Sequence, residues 1–324
     1  MAENSNIEWT DHTFNPWTGC TKVSLGCAHC YAESWAKRSG TVQWGKGQPR
    51  RRTKTWGDPV KWNRAAKLTL RCPGCSRLCI VGDDLGKAAF GKCMDCDIWA
   101  DDMPKVRPRV FSASLADWMD DEVPIEWLQD FLHLIDSCPN LDWLLLTKRP
   151  QNIYPRMMAA MNGNFDRLRT FKDHMPNVWL GTTCENQEMA DERIPHLLKI
   201  EAKVRFLSCE PILGPIDLAY TAFNGADSFG QMPGIHWVIA GGESGPGARP
   251  MHPDWPRTLR DQCTAARVPF LFKQWGEWLP GSQNNTDHLG GAVHDWPDEF
   301  ATKVGKHAAG RHLDGQLHTE FPTP

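Results

Sequence analysis

The chain has no apolar run long enough to cross a bilayer, and Met1 to Asp11 is too polar to read as an export signal. The first absence excludes a helical membrane protein, and together they make the reduced cytoplasm the expected setting. Disulfides are therefore not expected, and the twelve cysteines read as metal ligands or buried thiols. Nucleotide fingerprints are missing too: Gly241-Gly242-Glu243-Ser244-Gly245 lacks the GxGxxG spacing, and no P-loop lysine and serine follow it. Acidic residues are nearly absent from one stretch. Residues 37 to 71 hold eleven Lys and Arg against Asp58 alone, a charge of +10 that leaves -13 on the remainder of a chain whose total is -3. Such a block is either a solvated face or an anion-binding surface, and the interleaved Trp44, Trp56 and Trp62 favour nucleic acid. The expected partner is thus a nucleic acid engaged through Lys37 to Arg71. Lys46, Arg50, Arg51, Arg52 and Lys54 would neutralise phosphates, and Trp44 and Trp56 would stack on bases.

What is present is a repeating pattern. Short apolar runs recur at Val110 to Ser114, Trp143 to Thr147, Val178 to Thr182, Val204 to Ser208, Trp237 to Gly241 and Pro269 to Phe272, with starts 26 to 35 residues apart. Helical spacing separates several of them, as in Ile125, Leu128, Phe131, Leu132 and Ile135 after Pro124, and in Trp255, Leu259 and Cys263. Strand, helix, strand at this period predicts parallel βα units. With a first strand just before Cys20, the expected fold is α/β, a partial TIM-type barrel of about six or seven parallel strands with a cysteine-rich metal-binding insertion. Residues 1-39 and 109-279 would form the barrel, 40-108 the basic and zinc-binding insertion, and 280-324 an irregular C-terminal extension whose histidines lie in surface loops.

Polar residues follow each strand: Asp117, Lys148 with Arg149, Glu185, Glu210, Glu243, and Lys273 with Gln274. Parallel barrels place ligand-binding groups at these carboxyl ends, which makes Glu210, Glu243 and Lys273 candidate catalytic residues. Alternation turns Cys184 and Cys209 away from the mouth, so both read first as buried apolar residues, with hydrogen-atom donation by Cys209 a remote alternative. The glycine run at 241 to 245 resembles a backbone cradle for a ligand. A metal-independent hydrolase using Glu210 or Glu243 has no identifiable nucleophile and base pair.

Asn15-Pro16-Trp17-Thr18-Gly19-Cys20 leads into Gly26-Cys27-Ala28-His29-Cys30-Tyr31-Ala32, a C-x6-C-x2-C loop. Three thiolates suit an iron–sulfur cluster and leave one iron of a four-iron cube free. Zinc would want a fourth ligand, for which His29 is badly placed beside Cys30 and His12 is the remaining option.

The Asn-Pro-x-x-Gly-Cys opening and Cys-x-x-Cys-Tyr-Ala ending resemble the cluster loop of radical S-adenosylmethionine enzymes, distantly those related to spore photoproduct lyase. More closely, the chain resembles a phage-associated family of unknown function with a three-cysteine motif. The match runs through Ile7-Glu8-Trp9-Thr10, Val178-Trp179-Leu180-Gly181, Gly241 to Pro250, Phe272-Lys273-Gln274-Trp275-Gly276 and Leu313-Asp314-Gly315. The resemblance implies a [4Fe-4S] cluster on Cys20, Cys27 and Cys30 whose open iron chelates S-adenosylmethionine, an external electron donor, and a 5'-deoxyadenosyl radical acting on an unknown substrate. It also implies a phage-encoded protein working in the infected bacterial cell. His29 would lie near the adenine, Ser112 and Ser114 would hold the methionine end, and Thr183, Glu185 and Asn186 would meet the ribose. Two features depart from the pattern: the usual spacing is C-x3-C-x2-C, and the usual Gly-Gly-Glu follows the second strand, not the sixth.

Cys72-x2-Cys75 and Cys93-x2-Cys96, separated by seventeen residues, fit a tetrahedral structural zinc site. The leftover Cys79 keeps an auxiliary iron–sulfur cluster open as the alternative. The rival to a radical enzyme is a non-catalytic iron–sulfur and zinc protein that binds nucleic acid.

Overall fold

Aliphatic and aromatic runs with nearly every residue buried have both faces covered, the pattern of strands in a parallel sheet. In the computed structural model, which describes residues 2–66, 68–71, 78–81, 99, 105–161, 171–218, 234–283 and 291–322, the predicted runs are such strands. They are β1 (His12–Phe14), β2 (Arg109–Ser112), β3 (Asp142–Thr147), β4 (Val178–Thr183), β5 (Val204–Cys209), β6 (Trp237–Gly241) and β7 (Phe270–Gln274). All seven run parallel in chain order and curl into a half-barrel. The first strand expected just before Cys20 splits in two. His12–Phe14 joins the barrel, and Trp17–Thr18 pairs antiparallel with Arg51–Arg52 in a separate ribbon.

The concave face is plugged by aromatic residues. Trp9, Phe111, Trp179, Phe206 and Trp237 form one buried cluster with Leu144, Ile239 and Leu271. Trp9 lies 4.5 Å from Phe111 between ring centroids, and Trp179 meets Trp237 edge-on at 6.1 Å. Gly181 makes room for this plug, because a Cβ there would sit 2.4 Å from the Phe206 ring. On the convex face, the helices Ile125–Asp136, Ile153–Ala160, Gln187–Leu198 and Asp254–Ala266 supply the larger core. Leu128, Phe131, Leu132 and Ile135 face inward as their spacing predicts, as do Leu259 and Cys263. Cys184 and Cys209 are fully buried in that outer core, away from the mouth, as alternation requires.

The half-barrel's two edges are covered. Ala2–Glu3 pairs antiparallel with β1, and at the other edge Leu271 bridges Thr319. Phe321 then packs on Trp237 at 5.1 Å and under the Arg109 guanidinium at 4.0 Å, tying β6 to β2 across the open side. The tail carries more order than expected. Trp278–Pro280, Phe300–Lys303 and Val293–Asp295 make an antiparallel sheet, and Lys306–Ala309 a short helix. The start of the segment taken as an insertion belongs to the barrel wall, since helix Asp58–Ala65 stacks Trp62 on His12 at 4.5 Å and Trp56 meets Phe14 edge-on. Leu68–Arg71, Leu78–Val81 and Lys105–Val106 form a further antiparallel sheet. Cys72, Cys75, Cys93 and Cys96 lie outside the described residues. Among those residues, no helix is long and apolar enough to cross a membrane.

Candidate functional site

Above the aromatic plug, the inward register reaches polar residues at the carboxyl ends. Lys148 follows β3, Thr183 ends β4, Ser208 and Glu210 close β5, and Lys273 lies on β7; all of them line one cavity of about 340 Å³. Cys20, Cys27 and Cys30 line the same cavity. Lys273 Nζ donates to Glu210 Oε2 at 2.8 Å, a half-buried ion pair joining β5 to β7 across the space. Lys148 Nζ reaches Thr183 Oγ1 at 3.4 Å.

Strand-end residues pin the cysteine loop at three points. Asp117, buried behind Cys20, accepts from Thr147 Oγ1 at 2.6 Å, from the Lys148 amide at 2.9 Å and from Arg149 Nη1 at 3.1 Å. Arg149 so held donates to the Thr21 carbonyl at 2.8 Å and lies 3.6 Å from Cys20 Sγ. Burial and the nearby Asp117 push the Cys20 thiol up to about 12, against the pull of Arg149. Glu185 makes the second pin, accepting from the Gly26 amide at 3.1 Å while Arg193 Nη1 donates to its other oxygen at 2.8 Å. Arg249 makes the third: it donates to the Leu25 carbonyl at 3.1 Å and forks onto Glu243. Gly19, with φ +103°, turns the chain into the loop where a Cβ would press on Val42 and Arg50.

Several sequence-derived assignments change under this geometry. Glu185 is fully buried against Arg193 and the Gly26 amide and does not line the cavity, so it is not open to a ribose there. Asn186 caps helix Gln187–Leu198 by accepting from the Met189 amide at 3.0 Å. Ser112 is buried below the mouth and does not line the cavity, whereas Ser114 lines it while bonding Asn15. His29 is exposed and packs over Gly247, outside the cavity. Glu243 is a loop clamp for Arg249 and not a cavity acid. The Gly241-Gly242 cradle is closed: the Gly242 amide donates to the Gln274 carbonyl, and a Cβ on Gly242 would lie 1.9 Å from the Trp275 carbonyl oxygen. These glycines therefore serve close chain packing, not a ligand. Besides Cys20, Cys27 and Cys30, Glu210, Lys273, Thr183 and Ser114 are the expected site residues that do meet at the cavity.

The basic segment is also partly spent. Arg50 is buried, with Asp120 at 2.8 Å, Glu122 at 3.0 Å and the Gly45 and Gln48 carbonyls around it. Arg52 pairs with Asp130 and covers Trp56, and Lys37 pairs with Glu33. Trp44 alone of the three tryptophans reaches the cavity, and it also lines an adjoining open groove with Lys37, Arg51 and Arg52. Sequence reasoning missed Glu8, Trp9 and Tyr31 as cavity residues; nothing in a βα rhythm marks Glu8 and Trp9, which precede the first strand, and Tyr31 opens the helix after the cysteine loop. It also missed a separate surface group, buried His252 with exposed Asp254 and Asp298, whose potential ligand atoms lie within 4.8 Å of one another.

Fold and cavity together define a parallel half-barrel α/β protein with a polar, cysteine-bearing site at the carboxyl ends of its strands. The chain belongs to the family described as "Protein of unknown function (DUF5131)", which it matches over residues 4–322. No curated protein and no solved structure matches it.

Proposed function

We propose that the chain is a radical S-adenosylmethionine-type enzyme whose Cys20, Cys27 and Cys30 hold a [4Fe-4S] cluster. The observation that carries this reading is that the three thiols of one pinned loop open onto the same cavity as the Glu210–Lys273 pair. The chemistry of the donor set suits the group: three thiolates from one loop can each take a different iron of a four-iron cube and leave the fourth iron open. When bound, the cluster supplies the electron that cleaves S-adenosylmethionine to methionine and a 5'-deoxyadenosyl radical.

The chain's own residues would orient and shield. Arg149 neutralises charge beside Cys20, Asp117 holds Arg149, and the aromatic plug closes the cavity floor to water. Lys273 and Glu210 would hold or move a proton at the substrate. A zinc site on Cys72, Cys75, Cys93 and Cys96, and an external electron donor, belong to the same proposal. So does a nucleic acid partner, now resting on the groove shared by Trp44 and Arg51.

Anaerobic reconstitution with iron and sulfide, reduction, and analysis for 5'-deoxyadenosine test the enzyme reading. Product is expected from the parent chain and not from Cys20→Ala, Cys27→Ala or Cys30→Ala. A reconstituted, reduced cluster that leaves S-adenosylmethionine intact would favour the non-catalytic metal protein instead.

A further inference from the structure

A cluster of metal-ligating side chains lies outside the cavity and has no part in the proposed chemistry. His252 stands two residues before helix Asp254–Ala266, Asp254 is the first residue of that helix, and Asp298 lies in the turn between Val293–Asp295 and Phe300–Lys303. One ligand atom from each, an imidazole nitrogen and two carboxylate oxygens, lies within 4.8 Å of the other two. None of the three residues lines the cavity.

Packing brings these groups together. The Trp296 amide donates to the Glu299 carbonyl at 2.7 Å and closes the turn that carries Asp298, while the Trp296 ring meets His252 edge-on at 5.0 Å and Trp255 at 6.5 Å. Trp278 Nε1 donates to the Ala248 carbonyl at 2.7 Å, which fixes the same sheet to the segment leading into His252. The tail hairpin is thereby seated on the start of the helix. His252 is only 8% exposed, whereas the side chains of Asp254 and Asp298 are 60% and 69% exposed. A fixed imidazole thus faces two carboxylates that water can reach. Its one hydrogen bond is a long contact, 3.3 Å from the Asp254 amide to Nδ1; Nε2 faces Asp298 Oδ1 at 3.5 Å without a hydrogen bond, yet is not closed off from solvent. Asp298 has no other partner among the described residues. Asp254 gives Oδ1 to Arg257 and turns Oδ2 to the ring at 3.9 Å, and Arg257 is itself held by Asp314 at 2.8 and 3.0 Å. Buried polar atoms are normally hydrogen-bonded, so an open nitrogen on a nine-tenths buried ring, aimed at a carboxylate and walled by tryptophans, points to a missing ligand. Metal bonds of about 2.0–2.2 Å set neighbouring ligand atoms roughly 3–3.5 Å apart, a spacing that rotation of the exposed carboxylates reaches.

We propose that His252, Asp254 and Asp298 form an exchangeable site for a first-row divalent cation, with water completing its shell. The imidazole disfavours magnesium and calcium, which take oxygen ligands, and the lack of a thiolate separates this site from the cysteine sites. A bound ion links the tail hairpin to the helix that follows β6.

The proposal does not rest on the cluster, and manganese(II) is the probe because soft thiolates do not select it. The dialysed full-length chain is titrated with manganese(II), and bound ion is read from loss of the free-ion paramagnetic resonance signal. Binding is expected to broaden the indole N–H resonances of Trp296 and Trp255 and to leave that of Trp179, in the concave plug, sharp. Asp298→Asn and His252→Gln should each weaken binding by about ten-fold or more, while Asp261→Asn, which alters an exposed carboxylate of the same helix outside the cluster, should not. Broadening in the unmodified chain locates the ion even if His252→Gln fails to fold. No binding at millimolar manganese(II), broadening that spares Trp296, or unchanged affinity in Asp298→Asn would overturn the proposal. Every arm is run without iron, so each of these results leaves the enzyme reading standing.

Discussion

Glu185→Gln is the perturbation that best separates anchoring of the cysteine loop from chemistry in the cavity. Glu185 has no exposed side-chain surface; it pairs with Arg193, 2% exposed, at 2.8 Å and holds the Gly26 amide at 3.1 Å. Glutamine keeps the shape but presents only one acceptor oxygen, so either Arg193 or the Gly26 amide loses its partner. Breaking a buried ion pair from one side costs about 3–5 kcal/mol, and the surviving contact from Arg193 to the Thr183 carbonyl puts this case near the lower bound. About 3 kcal/mol corresponds to a fall of roughly 4–5 °C in Tm for a chain of this size. The loss has a pH signature. Burial alone would push the Glu185 carboxyl up, but Arg193 and Lys148 outweigh it and hold the group below its ordinary 4.5. A lowered folded value means stability fully present above pH 4.5 and lost as pH falls through the folded value, so parent and variant should converge in acid. Urea unfolding at several pH values, with hydrogen exchange at Gly26, measures both effects. A loss below about 1 kcal/mol at pH 7, or unchanged Gly26 protection, would refute the anchoring role.

Asp142 titrates with the opposite sign: burial pushes its carboxyl up to about 6 from 3.8 despite Arg107 at 3.2 Å. Its contribution therefore falls as pH rises from about 4 to 6, and the stability difference between parent and Asp142→Asn should change by about 3 kcal/mol across that window; parallel curves would contradict it. Gly181→Ala should cost about 1–3 kcal/mol by overpacking against the Phe206 ring, and a smaller loss in thermal unfolding would mean the plug yields easily. Elemental analysis of the whole protein should find one zinc per chain that is lost on Cys72→Ser, whereas additional iron and labile sulfide would favour an auxiliary cluster. Lys46→Gln, Arg51→Gln and Lys54→Gln together should lower the salt slope of single-stranded DNA binding by roughly 2, and an unchanged slope would remove this basic segment as the phosphate surface.

The strands were readable because both faces are covered, so their runs are apolar without interruption and too short for helices. The helix Ile125–Asp136 was readable for the complementary reason, a single apolar stripe. β1 was misplaced because three residues, His12, Thr13 and Phe14, carry no pattern. The tail sheet was missed because Val293–Asp295 is exposed throughout and offers no alternation. At the site, parity held only as far as the strands last. It correctly turned Cys184 and Cys209 outward, but it says nothing about Glu185 or Glu243, whose directions are set by Arg193 eight residues on and Arg249 six residues on. A charged residue after a strand is thus a weak signal by itself. Glu210 reaches the cavity because its ion partner Lys273 lies on another strand across that space.

The three pins bear on how metal and fold are coupled. Arg149 follows β3, Glu185 follows β4, and Arg249 is held by Glu243 after β6, so strands far apart in the half-barrel converge on the backbone between Thr21 and Gly26. A loop positioned by the scaffold needs no metal to order it, unlike a short metal-dependent unit in which binding free energy is folding free energy. The cost falls on Cys20, which burial and then Asp117, the acid that holds Arg149, push toward the neutral thiol. Under the proposed function, metal binding there would displace a proton from a preformed site, with Arg149 beside the sulfur to offset the charge that remains. Under the same proposal, a preformed loop accounts for a C-x6-C-x2-C spacing. The extra residues between Cys20 and Cys27 are where the pins attach, so the longer spacing supplies the anchoring contacts.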